Sequence, residues 1–193
     1  MVARYDRVMQ SSRPLFVIVS GAPGSGKTRL ARRLAADTDL ILLSKDALKE
    51  ALSDALGHPK TIAGSSLLGL GAYAAMFAMA RAMLASGAGV VVESNFRRGL
   101  SEPELTAGHE ADVRVVHCVA EPATIDRRYG VRAVERHPAH LDAARQQDVM
   151  RELLDGRYEP LNIDAQLLIV RTDHGYEPCY EEVCAFVAGG AAA

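Results

Sequence analysis

The sequence predicts an α/β protein, a three-layer sandwich in which a five-stranded parallel sheet carries helices on both faces. Three observations point there. Five short aliphatic runs recur along the chain. Longer stretches with apolar residues three and four apart separate them, and strands alternating with helices make a parallel sheet. The 193 residues suit one domain of ordinary globular composition, 49% hydrophobic and 24% charged, large enough to fold without a disulfide or metal.

The elements follow in order. Leu15–Ser20 is continuously apolar, as a strand buried on both faces should be. Gly21–Gly26 forms a glycine-rich turn. From Lys27 the pattern is helical, with Leu30, Ala31, Leu34 and Ala35 on one side and Arg29, Arg32 and Arg33 elsewhere. Leu40–Leu43 is a second strand. Ser44 is placed to cap the next helix, which carries Asp46, Leu48, Leu52 and Leu56. After a loop with Gly57, His58, Pro59 and Gly64, an Ala-rich helix runs to about Ser86. Its Ile62–Ala80 stretch has no charged residue and would reach across a bilayer. Ala, Gly and Ser dominate it, however, and supply little transfer energy, so it reads as a buried or cleft-lining helix and no membrane is expected. Val90–Val92 is the third strand, closing at Glu93, Ser94 and Asn95. A short helix is expected over Pro103–His109 and a fourth strand over Val113–Val119. Pro122 opens a helix that runs through Arg127, Arg128, Arg132 and Arg136 until Pro138 breaks it. A helix over Leu141–Leu154, a strand over Leu167–Val170 and a helix over Tyr180–Val187 complete the pattern. Residues 1–13 and 189–193 read as loose tails around a single domain, 14–188.

Composition excludes some functions. Net charge is −2, which argues against a broad nucleic-acid face, because such a face needs a basic excess. Cys118, Cys179 and Cys184 are odd in number and form no Cys-x-x-Cys pair, so free thiols and a reducing, cytoplasmic setting are expected. The first residues lack the apolar segment of a secretory signal.

The strongest signal is local. Gly21, Ala22, Pro23, Gly24, Ser25, Gly26, Lys27 and Thr28 fit G-x-x-x-x-G-K-[ST] in full. Glycines let the backbone curl so that successive N–H groups face phosphate oxygens, and the helix N-terminus adds its positive end. Lys27 is expected to bridge the β- and γ-phosphates of a nucleoside triphosphate, and Thr28 to ligate Mg²⁺. A buried strand precedes the motif and an amphipathic helix follows it, as the motif requires.

Ligands of open parallel sheets sit beyond the carboxyl ends of the strands. Asp46 lies just past strand two and Glu93 ends strand three, so both should face the crevice that holds Lys27. Glu93 has the place of an acid holding the Mg²⁺ shell through water, and Asp46 that of a base for an attacking hydroxyl; the reverse assignment stays open. Lys27, Lys45 and Lys49, three of only four lysines, fall at this edge. Arg128, Arg132 and Arg136 share one helical face and suit an anion, though pairing with Asp126 and Glu135 on a solvated face is the alternative. His137 and His140 lack a third ligand at metal-site spacing. Thr172 and Asp173 follow strand five, where such folds contact adenine. Asn95, Phe96 and Arg97 border the expected acceptor pocket, where Arg97 and Arg98 either bind an anionic group on the acceptor or belong to a surface loop.

The order of these motifs (phosphate loop, Ser44-Lys45-Asp46, the Ala-rich helix, Val-Val-Val-Glu93-Ser94-Asn95, and Arg128 with Arg132) resembles the small P-loop kinases. These are AAA-type ATP-binding kinases, and the chain is most similar to the group of polynucleotide kinase domains, zeta toxins and chloramphenicol phosphotransferase. The resemblance implies a P-loop NTPase sheet in order 2-3-1-4-5, ATP and Mg²⁺, and Asp46 as the hydroxyl-activating base. It also implies a small helical lid around 127–145, with one of Arg128 and Arg132 near adenine and the other near the transferring phosphate. Polynucleotide kinases carry Asp-x-x-Arg where this chain has Asp46-x-x-Lys49, and a lysine offers no bidentate fork. The acceptor expected is therefore a small hydroxyl compound, contacted by Asp46, Lys49, Glu93, Asn95 and Arg97, with no nucleic acid. A nucleotide-dependent regulatory ATPase, or a toxin-type kinase of a nucleotide sugar, are the alternatives.

Overall fold

Along β1 (Leu15–Gly21) successive side chains point to opposite faces of the sheet, so Phe16 and Ile18 enter one apolar cluster while Val17 and Val19 enter another. None of the four is more than 1% exposed. Burial on both faces is why this run reads as continuously apolar rather than alternating. Each such side chain contributes about 1.5–3 kcal/mol on leaving water. The computed structural model describes residues 13–189, without the side chains of 132–135 and 142–145. The expected tails lie almost wholly outside the described residues.

The other elements are α1 (Lys27–Thr38), β2 (Ile41–Ser44), α2 (Lys45–Leu56), α3 (Ile62–Ala85), β3 (Val90–Glu93), α4 (Glu102–Thr106), β4 (Asp112–Val119), α5 (Pro122–Glu135), α6 (Asp142–Leu154), β5 (Gln166–Arg171) and α7 (Tyr180–Val187). The five strands are all parallel, in the order β2-β3-β1-β4-β5. Both the three-layer architecture and this order are the expected ones. On one face, Leu30 and Leu34 of α1 and Val183 and Phe186 of α7 pack against Val17, Val91 and Val116. On the other, Met76, Phe77 and Ala80 of α3 and Leu105 of α4 pack against Ile18, Val92 and Val115. The strand ends therefore bring β1, β2 and β3 to one edge.

The Ala-rich helix differs from the expectation. Ala72, Met76, Phe77, Ala80 and Leu84 of α3 are buried, but Leu67 and Leu70 are 70% and 65% exposed. By length and composition α3 could cross a membrane; in this fold one stripe covers the sheet and the opposite stripe is open. The short helix α4 also ends at Thr106 rather than His109.

Candidate active site

The phosphate loop takes its shape from glycines in the left-handed region. Gly21 has φ 138°, and a Cβ there would lie 2.3 Å from the Cys118 carbonyl oxygen and 2.6 Å from Ser25 Oγ. Gly26, at the N-cap of α1, has φ 83°. Only glycine holds these angles without strain. Lys27, 4% exposed, folds back over the loop and donates from Nζ to the Ala22 carbonyl at 3.2 Å. Ser25 Oγ is buried without a partner. A buried polar orphan inside a glycine cradle is what an anion's oxygen would satisfy.

The loop is pinned from behind. Thr172 Oγ1 donates to the Ser25 carbonyl at 2.8 Å. Arg128 donates to Thr172 Oγ1 at 3.0 Å, to the Thr172 carbonyl at 2.6 Å and to the Gly24 carbonyl at 3.3 Å. Asp173 Oδ1 accepts from the Glu121 backbone N–H at 3.0 Å. Arg128, Thr172 and Asp173 thus stand together beside the loop, across α5 and the end of β5.

Glu93 closes the front. Register sets it beside Val19 of β1 and Ser44 of β2. It is 2% exposed, accepts from Thr28 Oγ1 at 3.0 Å and Ser44 Oγ at 2.7 Å, and lies 4.0 Å from Lys27 Nζ. This corrects the role expected of Ser44. It occupies the N-cap of α2 but makes no capping bond, because its hydroxyl is spent on Glu93.

Asp46 stands in the first turn of α2, two residues past β2. Its carboxylate accepts from Arg136 Nη2 at 2.6 Å and Lys45 Nζ at 3.2 Å, and its side chain is 26% exposed. Burial by itself would raise its pKa. The positive charges of Lys45, His140, Arg136 and Lys27 outweigh that and hold the group well below the usual carboxylate range. Asp46 begins an acidic row on α2 at a spacing of four, Asp46, Glu50 and Asp54. His140 Nε2 donates to Glu50 at 2.9 Å and His137 Nε2 to Asp54 at 3.0 Å. The segment after α5 therefore docks on α2 through three successive pairs. Sequence reasoning did not place Arg136 at the site, although its shared face with Arg128 was the available signal.

The remaining expected residues separate. Lys49 is buried one turn from Asp46 and donates to Ser65 Oγ at 2.7 Å. Asn95 follows β3 with its Oδ1 buried and unpartnered. Arg97 does not join the group: its Nη2 donates to both oxygens of Glu152 on α6, at 2.7 and 2.9 Å, and this ion pair engages the guanidinium that was expected to hold substrate. The Arg132 side chain lies outside the described residues; its backbone belongs to α5. Among the described residues, no group of three His, Cys, Asp or Glu could hold a metal.

A family model described as an AAA domain matches residues 16–155. The chain belongs to that family. Among solved structures, this AAA-domain protein is similar to a candidate kinase from Chloroflexus aurantiacus, at 28% identity and TM-score 0.82, covering 93% of this chain and 100% of that one. It also resembles a sugar kinase from Janibacter sp. HTCC2649, at 19% identity and TM-score 0.63, covering 90% and 94%. A gluconokinase from Sinorhizobium meliloti 1021 matches at 17% identity and TM-score 0.55, covering 91% and 92%. The last two likenesses are of fold. No curated protein matches the chain. The fold is that of the P-loop kinases.

Proposed function

We propose that this AAA-domain protein is an ATP-dependent kinase that moves the γ-phosphoryl group to a hydroxyl of a small molecule. The observation that carries the reading is the pairing of two carboxylates in unlike settings at one sheet edge. Glu93 is buried, with both oxygens committed to Thr28 and Ser44. Asp46 is partly open, ionised, and held by the side chains of Lys45 and Arg136. The first suits a fixed electrostatic support and the second a group that receives a substrate.

Thr28 and Glu93, hard oxygen donors 3.0 Å apart, fit Mg²⁺, which takes a hydroxyl and keeps several waters. Thr28 would hold the ion and Glu93 its water shell; when bound, it neutralises charge on the transferring phosphoryl group. Gly21, Ala22, Pro23, Gly24, Ser25 and Gly26 would wrap the phosphates with main-chain N–H groups, and Lys27 would leave the Ala22 carbonyl for the β- and γ-phosphates. Arg128, beside Thr172 and Asp173, would face the adenine side, and Arg132 the transferring phosphate.

Transfer needs little covalent help from the protein. The acceptor oxygen forms a bond to the γ-phosphorus, the bond from that phosphorus to the β-bridging oxygen breaks, and ADP leaves with the electron pair. The hydroxyl proton passes to Asp46. A carboxylate held so acidic accepts a proton only late, which suits a loose transition state. Asn95 and Lys49 border the acceptor, and the Lys49 ammonium, lacking a bidentate fork, favours a small molecule over a polynucleotide end. We place the enzyme in the cytoplasm as one kinase domain, 14–188, with a lid over 127–145; its cysteines are free thiols.

The test is ADP release from Mg·ATP by the full-length protein against a panel of hydroxyl compounds, with products read by mass spectrometry. Acceptor-dependent ADP release and a phosphorylated product are expected, and Lys27→Ala should abolish both. ATP hydrolysis that no acceptor stimulates would favour a regulatory ATPase instead.

A further inference from the structure

Helix α1 turns Arg29, Arg32 and Arg33 away from the sheet, opposite Leu30, Ala31 and Leu34. With Thr28 and Arg136 these three arginines line a cavity of about 620 Å³, and among the described residues no acidic side chain lines it. Arg33 is tied down, stacked 3.4 Å from the Tyr180 ring centre and 3.9 Å from Asp37. Among the described residues, no carboxylate lies within ion-pair distance of Arg29 or Arg32. Arg29 and Arg32 share this cavity with Arg33 and Arg136, which have acidic partners in Asp37 and Asp46; like charges on Arg29 and Arg32 repel, and an anion between them removes that cost.

The position of the cavity gives the anion a purpose. One end is Thr28, the last residue of the phosphate loop. The other is Arg136, which also reaches Asp46 at 2.6 Å. The cavity therefore runs from the phosphate cradle to Arg136, the partner of the carboxylate assigned as base. A second observation agrees: Asp46 has two cationic groups within 3.2 Å, Arg136 and Lys45.

We propose that the acceptor is itself an anion, a hydroxyl-bearing small molecule whose carboxylate or phosphate lodges among Arg29, Arg32 and Arg136 while its hydroxyl faces Asp46. This rests on the kinase reading above and names its substrate class. Arg136 then shifts from Asp46 to the incoming anion, and the same contact that seats the acceptor uncovers the base. The role expected of Arg97 falls instead to arginines on α1.

The test has a binding arm and a turnover arm. Full-length protein is saturated with Mg²⁺ and the non-hydrolysable analogue AMP-PNP, which fills the phosphate loop. Inorganic phosphate is then titrated while the unfolding midpoint is read. A phosphate-dependent rise is expected in the wild type and none in Arg32→Glu, with Arg32→Lys restoring part of it. In turnover, hydroxy acids and sugar phosphates are compared with their neutral counterparts. The anionic partner should have a kcat/KM about tenfold higher or more, the loss expected when a charge-assisted contact is missing. Arg32→Glu should erase that advantage and leave the KM for ATP within about twofold. The proposal is overturned if phosphate does not stabilise the loaded protein, if Arg32→Glu responds like the wild type, or if neutral acceptors serve equally well. It is also overturned if the KM for ATP rises in step, since the cavity would then serve the nucleotide. Phosphate stabilisation with no turnover on any acceptor refutes the kinase reading and leaves the anion site standing.

Discussion

Replacing Asp46 by Asn separates the chemistry from the fold. The carboxamide is nearly isosteric and keeps one acceptor oxygen, so it retains one of the two donors, Arg136 now on Oδ2 at 2.6 Å or Lys45 now on Oδ1 at 3.2 Å. Lost are the charge and the basicity. The pair with Arg136 is partly exposed, 26% and 16% on the two side chains, so solvent screens it and the loss of stability should be about 1 kcal/mol. For a chain of this size that lowers Tm by roughly 2–4 °C. The kinetic effect should be much larger, because a carboxamide oxygen cannot take the hydroxyl proton. General-base removal costs typically about 10²–10⁴ in rate, or about 2.7–5.5 kcal/mol of barrier. The assay is ADP release at saturating Mg·ATP with the best acceptor, beside a thermal melt. kcat should collapse while the KM for ATP stays near the wild-type value. Acceptor-dependent turnover within about threefold of wild type would refute the assignment. The charge also fixes a pH window. The folded pKa of Asp46 is depressed below its ordinary 3.8, so the stability from its ionisation is complete above that value and lost only as pH falls through the folded one. The acid limb of a kinase pH profile near neutrality should therefore be unaffected by Asp46→Glu.

Two further outcomes test the cradle and its underside. Gly21→Ala puts a Cβ 2.3 Å from the Cys118 carbonyl oxygen at φ 138°; backbone must move, costing roughly 1–3 kcal/mol, and nucleotide binding measured by calorimetry should be lost even where the variant still melts cooperatively. Under the same loop, His117 Nδ1 lies 2.8 Å from Ser20 Oγ, and burial pulls the imidazole from its ordinary 6.5 down to about 4. The unfolded chain therefore binds this proton more readily than the folded one. Stability should be complete above 6.5 and fall as pH drops from 6.5 to 4, by up to about 3 kcal/mol. Denaturant titrations of His117→Gln should show a flatter fall over that window, and an unchanged one would place the proton elsewhere.

What the sequence displays depends on how local the cause is. The phosphate loop needs glycines at fixed offsets along one stretch of chain, so it is legible outright. The strands of this sheet are legible because burial on both faces leaves no polar alternation in Phe16–Val19 or Val90–Val92. Strand ends then place Asp46 and Glu93 at one edge by topology alone. Partner choice leaves no such imprint. Ser44 stands where a cap belongs, and only the register of β2 on β3 reveals that Glu93 takes its hydroxyl. Arg97 follows a strand that ends at the site, yet its partner Glu152 lies 55 residues on, in α6. Exposed and half-buried ion pairs contribute about 1 kcal/mol or less, too little to constrain residue spacing far along the chain.

The arginines of α1 are the sharpest instance. Basic residues opposite an apolar stripe are what any surface helix presents to water, so Arg29, Arg32 and Arg33 read as solvated from sequence. Their significance lies in what stands across from them. That is Arg136, brought there by the segment after α5 more than a hundred residues later, and among the described residues not an acid. A missing counter-charge is a property of the assembled surface. Spacing within one helix cannot encode it, and the anion that would supply it belongs to no part of the chain.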